Sequence, residues 1–439
     1  MTMAPREMLL GVFVLASGNH VAGWRIPGAF TSNEDFEAIV QIAQDAEEAK
    51  LDFLFFADSP CCVLDDHPSF VLKLEPTTLL GALAGRTSRI GLVATISTTF
   101  SEPYNIARVF ASLDRISQGR IGMNVVTSGT EQVAANFGRS IPPHDTRYVI
   151  ASEYVDVVQG LWDSWEDGAL LADRNSGQYV DRSKVHLLDH KGEHYTVRGP
   201  LAASRSPQGQ PVIVQAGASE SGERFAARYA EMIFTVQQDI GEAQRFYSRI
   251  GERAAALGRA ADEFRILPGL VPIVGRTEEE WKAKFARLSS LVEPGSALEL
   301  MSQRCGHDMS RFDMKAPVPD LPLSEGVHSF VKILFAKAQR DNMTLKDLHD
   351  LFAISRGYLI LCGTPASIAD AMEEWVVGKA CDGFMLLPPD FPEALRDFNK
   401  LVVPELQRRA LFRHDYAGTT LRENLGLAIP ANRHSPATR

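Results

Sequence analysis

The chain has 439 residues, of which 45% are apolar and 23% charged, with a formal net charge of −10; these are the values of a folded globular protein with a sizeable core. The acidic balance, with no block of Lys and Arg, excludes the basic footprint of a nucleic-acid-binding surface. No apolar run approaches the roughly 20 residues of a membrane helix, and the five cysteines form no CxxC pair, so a soluble protein of the reducing cytoplasm is expected, with no zinc site.

MLLGVFVL (residues 8–15) reads as a first strand. The apolar stretch around it has the length of a signal-peptide core, but Arg6 and Glu7 balance in charge and the run continues into His20 and Trp24. A helix over 35–49, the strand FLFFA (53–57) ending in Asp58, and a helix over 76–86 follow. The strand IGLVA (90–94) halts at Thr95, Ser97, Thr98 and Thr99. Between 103 and 116, Ile106, Val109, Phe110 and Leu113 recur at helical spacing, with Pro103 at the start and Gly119 beyond the end. The next strand, 121–126, stops in Thr127, Ser128 and Gly129. Both strands thus end in hydrogen-bonding residues at the edge where parallel α/β folds bind ligands.

PVIVQA (211–216), MIFTV (232–236), ILPGLVPIV (266–274) and GFMLL (383–387) bring the strands to eight, alternating with helices over 222–229, 242–257, from 277, over 365–377 and over 391–411. That order predicts a single TIM (β/α)8 barrel domain over 1–439. The stretches 129–210 and about 292–362 are too long for ordinary loops and are expected as insertions at the active face. A tail from about 412, aperiodic after Thr419, is expected to lie against the surface or another subunit.

Several residues stand out for their chemistry. In QAGASESGERFAARYA, Ser219 and Ser221 open a helix after a Gly-containing turn, which suits either a phosphate or a plain capped helix. The Walker pattern is excluded, because Gly222 is followed by Glu223 and Arg224. His144 and Tyr148 sit one helical turn apart. Asp58, Thr95 and Thr127 each follow a strand and read either as turn and strand-end residues or as ligand contacts. His20 and His307 are lone loop histidines. Asp65, Asp66 and His67 are adjacent with no second cluster, so they read as a solvated loop rather than metal ligands. Phe56 and Phe234 are the rings expected near a pocket mouth.

The run GLVATISTTFSEPYNIARVFASLDRISQGRIGMNVVTS resembles the nitrilotriacetate monooxygenase branch of the bacterial-luciferase-like flavin monooxygenases. RSPQGQPVIVQAG, GKACDGFMLLPP and LVVPELQRRALFRHDYAGTTLRENLGL extend the resemblance over nearly the whole chain. It implies a two-component monooxygenase that takes reduced FMN (FMNH2) from a separate NAD(P)H-dependent flavin reductase. With O2 as co-substrate, a 4a-hydroperoxyflavin would oxygenate a small organic substrate. It further implies contacts of the flavin phosphate and ribityl chain with His144, Tyr148, Ser219 and Ser221, and of the flavin site with Asp58, Thr95 and Thr127. His20 and His307 become catalytic candidates on the substrate side. A homodimer or homotetramer is expected, with no nucleic-acid or membrane partner. Two alternatives stay open: a deazaflavin-dependent dehydrogenase of the same superfamily, disfavoured by the strand ending NVVTS, and a non-catalytic flavin-binding protein.

Overall fold

A short apolar run can be buried on both faces only inside a layered fold, and each of the expected strands is. The computed structural model describes residues 7–435 apart from 65, 218, 293–297, 300, 303–304 and 322–328; Asp65 of the acidic loop therefore lies outside the described residues. The strands are β1 (Leu9–Phe13), β2 (Phe53–Phe56), β3 (Gly91–Ser97), β4 (Ile121–Val126), the small hairpin β5 (His190–Lys191) and β6 (Thr196–Val197), β7 (Val212–Gln215), β8 (Met232–Thr235), β9 (Arg265–Val274), β10 (Leu359–Gly363) and β11 (Gly383–Leu386). Parallel pairing runs β1-β2-β3-β4-β7-β8-β9-β11 and back to β1, a closed barrel of eight strands.

Alternation along each strand divides the apolar side chains into two cores. Leu9, Phe13, Phe53, Phe55, Val93, Val214, Met232, Phe234 and Met385 point inward, while Leu10, Leu54, Phe56, Leu92, Ile121, Met123 and Ile213 pack outward against the helices. Gly11 leaves room for an inward ring, since a Cβ there would lie 2.2 Å from Phe53. Phe13, Phe55 and Phe234 form a triangle of rings with centroids 5.2–5.8 Å apart. Phe234 therefore faces the interior as expected, but Phe56 does not: it belongs to the helix layer, and Phe55 takes the inward place.

β10 lies within a stretch expected to be insertion. It pairs with the second half of the ten-residue β9, Leu270 to Val274, outside the barrel circuit. The helices Ser329–Arg340 and Leu345–Ser355 that precede it share their own core of Met301, Leu334, Phe335, Leu348 and Phe352, which also takes in Val21. That excursion stands at the carboxyl ends of the strands: Val21 N donates to Ala353 O at 3.1 Å, and Tyr358 stacks on Phe234 at 5.6 Å.

The stretch 129–210 divides instead. Its first part, with helix Glu131–Phe137, does stand at the carboxyl end, tied by Asn136 Nδ2 to Pro60 O at 2.9 Å and by the Phe100–Phe137 stack. Helix His144–Trp162 is a regular barrel helix that carries the chain down to the opposite end. Residues 163–210 then return along the outer flank and under the amino-terminal face, where Gln208 Nε2 donates to Asp114 Oδ1 and Ile121 O, each at 2.8 Å. The expectation that all of 129–210 covers the active face is corrected accordingly.

The tail also differs from expectation. Leu421, Leu425 and Leu427 are buried in the inward core and close the barrel floor. Three buried arginines fasten them: Arg265 Nε donates to Leu425 O at 2.9 Å, Arg422 Nη2 to Gln210 O at 3.1 Å, and Arg413 pairs with buried Asp52 while donating to Asn424 O at 2.9 Å. A segment that gathers Asn, Pro, His and Arg looks like surface in sequence, yet its leucines fall at the spacing that fills a barrel end. Among the described residues no helix is long and apolar enough to cross a membrane.

Candidate active site

The carboxyl ends of β1 to β4 and β7 place polar groups around one mouth. Thr95 and Asn124 are opposite residues of β3 and β4. Inward-facing Val93 and Gly122 sit two residues before them, so both side chains enter the barrel. Asn124 Nδ2 donates to Thr95 Oγ1 at 2.9 Å, which fixes the amide and leaves buried Asn124 Oδ1 without a partner among the described residues. Ser97 Oγ at the end of β3 and Gln215 Oε1 at the end of β7 are buried and likewise unpartnered among the described residues. Desolvated polar atoms cost 1–3 kcal/mol each when unpaired, so a row of them on adjacent strand ends marks a place built for a polar ligand. Thr127, half-buried, follows β4 with the strand parity of Val125, which packs outward in the helix layer.

Helix starts supply the second part of the mouth. Ser219 caps helix Glu220–Tyr229, its Oγ accepting from Gly222 N at 3.1 Å. Opposite stands the first turn of helix 144–162, where His144 packs edge-on to Tyr148 with centroids 5.2 Å apart. The Tyr148 hydroxyl reaches across: a Cβ at Gly217 or at Gly222 would lie 3.1 Å from it. The glycines of the turn thus make a cradle that any side chain would fill, with a hydroxyl and a helix N-terminus on its rim. Ser221 Oγ donates to Asp145 Oδ1 at 2.7 Å, and His144 Nδ1 lies 3.0 Å from the same oxygen. Hydrogen bonds, from Ser221 first, hold the Asp145 carboxyl below its ordinary range. His144, Tyr148, Ser219 and Ser221, far apart in sequence, are therefore brought together; Ala218, just before Ser219, lies outside the described residues.

Asp58 follows β2 on the same rim. Burial pushes its carboxyl up to about 6, against the pull of Lys73. Across the mouth, His20 is fully buried after β1, its Nδ1 accepting from Ala22 N at 2.9 Å, and burial pulls its imidazole down to about 4 against the Leu288 carbonyl. It is neutral at pH 7. His67 is no part of a solvated loop: it is 1% exposed, its Nε2 lies 3.1 Å from Asn19 O, and burial holds it well below the usual range. His307 is not brought to this rim by any of these contacts; its backbone N donates to Ser302 O at 3.3 Å within the helical excursion.

Sequence reasoning missed Asn124, Gln215, His67 and Tyr358. Asn124 was readable, as the one polar residue in the apolar strand IGMNVV. The other three owe their place to tertiary packing, Tyr358 by filling the space over Gly269, where a Cβ would lie 2.3 Å from its ring.

A family model described as luciferase-like monooxygenase matches residues 13–380. N-acetyl-S-(2-succino)cysteine monooxygenase of Bacillus subtilis (strain 168) is 47% identical over 440 residues, covering 99% of this chain and 100% of its own. Nitrilotriacetate monooxygenase component A of Aminobacter aminovorans is 45% identical over 445 residues, 98% of each chain. A solved riboflavin lyase, holding modified FMN and its substrate riboflavin, superposes with a TM-score of 0.84 at 34% identity over 96% of each chain.

Proposed function

Because this chain belongs to the luciferase-like monooxygenase family, we propose that its barrel mouth receives reduced FMN with the phosphate at the 217–222 turn and the ring system toward Thr95 and Asn124. The chain is a flavin-dependent monooxygenase. Bound reduced FMN supplies the two electrons with which one atom of O2 enters an organic substrate and the other leaves as water.

What this chain contributes is binding, orientation and dryness. The first-turn amides of helix 220–229 and the Tyr148 hydroxyl suit a phosphate, and the unpartnered Asn124 and Gln215 oxygens suit the N–H and hydroxyl groups of a flavin. Asp58 makes polar contact with the ring, and Thr127 lines the path between ring and phosphate. His20, neutral and buried, stands on the substrate side, with the excursion 329–358 forming a wall that keeps water from the reacting centre. His307 belongs to that wall.

The single observation that carries the reading is the meeting of Tyr148 with the glycine cradle at 217 and 222. Reduced FMN comes from a separate flavin reductase, as the component A relative implies. The reductase's use of NAD(P)H, a homodimer or homotetramer, and a cytoplasmic setting complete the proposal.

The test is turnover with a generic flavin reductase, NADH, FMN and a panel of thioethers, aminopolycarboxylates, sulfones and alkanes under 18O2. One labelled oxygen per product molecule supports the assignment. Binding of FMN without any oxygenated product across the panel would point to the non-catalytic alternative.

A further inference from the structure

Beside the donors of the proposed phosphate cradle stands a carboxylate that two of them already engage. Asp145, the second residue of helix 144–162, carries a side chain that is 86% exposed, yet it is engaged from two sides, by Ser221 Oγ at 2.7 Å and His144 Nδ1 at 3.0 Å on a single oxygen. Ser221 and His144 are two of the four residues that the family resemblance implies for the flavin phosphate and ribityl chain, and both border the 217–222 turn proposed for the phosphate. A carboxylate oxygen receiving two such contacts has the charge and acceptor geometry of a phosphate oxygen. Arg224, one turn beyond Ser221, attracts the same carboxylate but is itself paired with Glu220 at 2.6 Å.

We infer that Asp145 is a built-in competitor of the flavin phosphate for these donors, and so the residue that sets how strongly phosphorylated flavin is held. The inference rests on the phosphate assignment and deepens it. A phosphate that engages Ser221 and His144 must displace the Asp145 carboxylate and then remain beside it, so each bound phosphate meets a like charge within a few ångströms. An exposed carboxylate on a first helical turn can swing into solvent, which limits the penalty without abolishing it. For an enzyme supplied with reduced flavin by another protein, such a competitor favours exchange over retention.

The experiment is a titration of wild type, Asp145→Asn and Asp145→Ala with oxidised FMN and with riboflavin, at low and at 0.5 M salt. Both variants should bind FMN roughly three- to tenfold more tightly than wild type at low salt, from loss of a like charge in a water-exposed setting. Riboflavin affinity should stay within about twofold, and the FMN gain should shrink at high salt as the Debye length falls. Tightening by Asn alone, with Ala unchanged or weaker, would show that the new amide acts as a donor and would overturn the competitor role. Unchanged or weaker FMN binding in both variants would overturn it outright. The phosphate assignment is separately judged: if wild type and both variants bind FMN and riboflavin alike, that reading fails and the inference with it.

Discussion

Replacing Tyr148 by Phe removes one hydroxyl and nothing else from the proposed phosphate cradle. The ring makes the packing contacts, edge-on to His144 at 5.2 Å and tilted against Phe225 at 6.0 Å, and Phe keeps both. The hydroxyl is the part that approaches Gly217 and Gly222. A hydrogen bond to a charged group contributes about 1.5–3 kcal/mol, so reduced-FMN affinity should fall roughly 10- to 150-fold at ~1.4 kcal/mol per decade. Reduced riboflavin, lacking the phosphate, should bind within about twofold of wild type. Anaerobic titration of both proteins with both ligands gives the comparison, and a thermal melt confirms that the fold is kept. Equal losses for FMN and riboflavin, or no loss for either, would show that Tyr148 does not contact the phosphate and would remove the main support for the flavin's orientation.

Asp58, held near 6 when its ordinary value is 3.8, binds its proton more tightly folded than unfolded. Its favourable contribution is therefore full below about pH 4 and lost as pH rises through 6. Asp58→Asn should raise the melting temperature at pH 7 but not at pH 4 while weakening flavin binding; a shift of equal size at both pH values would contradict this. His20→Ala should leave reduced-FMN affinity unchanged and raise the hydrogen peroxide formed per NADH consumed, whereas a matching loss of flavin affinity would place His20 against the cofactor instead. Arg413→Met strands Asp52, which is fully buried and already pushed up to about 6 mainly by that burial. Urea unfolding should show a loss on the order of 3–5 kcal/mol at pH 7, and a loss under 1 kcal/mol would mean that the floor is held by the leucines alone.

The barrel was legible because its eight strands are nearly continuous apolar runs separated by amphipathic helices, and each polar stop after a strand fell on the rim. Thr95, Thr127 and Asp58 become candidates that way. Tyr148 and Ser221 were placed by their resemblance to a family motif, since their 73-residue separation carries no local signal. What stayed hidden depended on which way a side chain turned or where a long segment travelled. Phe55 and Phe56 differ only in strand parity, and one is inside the barrel while the other is outside. His67 looked solvated after two acidic neighbours and is buried against Asn19. The course of 163–210 under the barrel follows from Gln208 reaching Asp114 and Ile121, a pairing across some ninety residues that periodicity cannot express.

The leucine floor bears on how the molecule assembles. A Cβ at Gly91, on the third strand, would lie 2.4 Å from Leu421, so the inward core made by early strands is finished only by residues more than three hundred positions later. During synthesis all eight strands leave the ribosome before Leu421, Leu425 and Leu427 do, and until then the lower end of the barrel is open to water. Contacts of such long sequence separation carry a high loop-closure cost and form slowly. The nascent chain therefore passes through a stage with a wet, partly formed apolar interior, the kind of species on which chaperones act. Folding yield, more than final stability, is where changes in this short segment should be felt first.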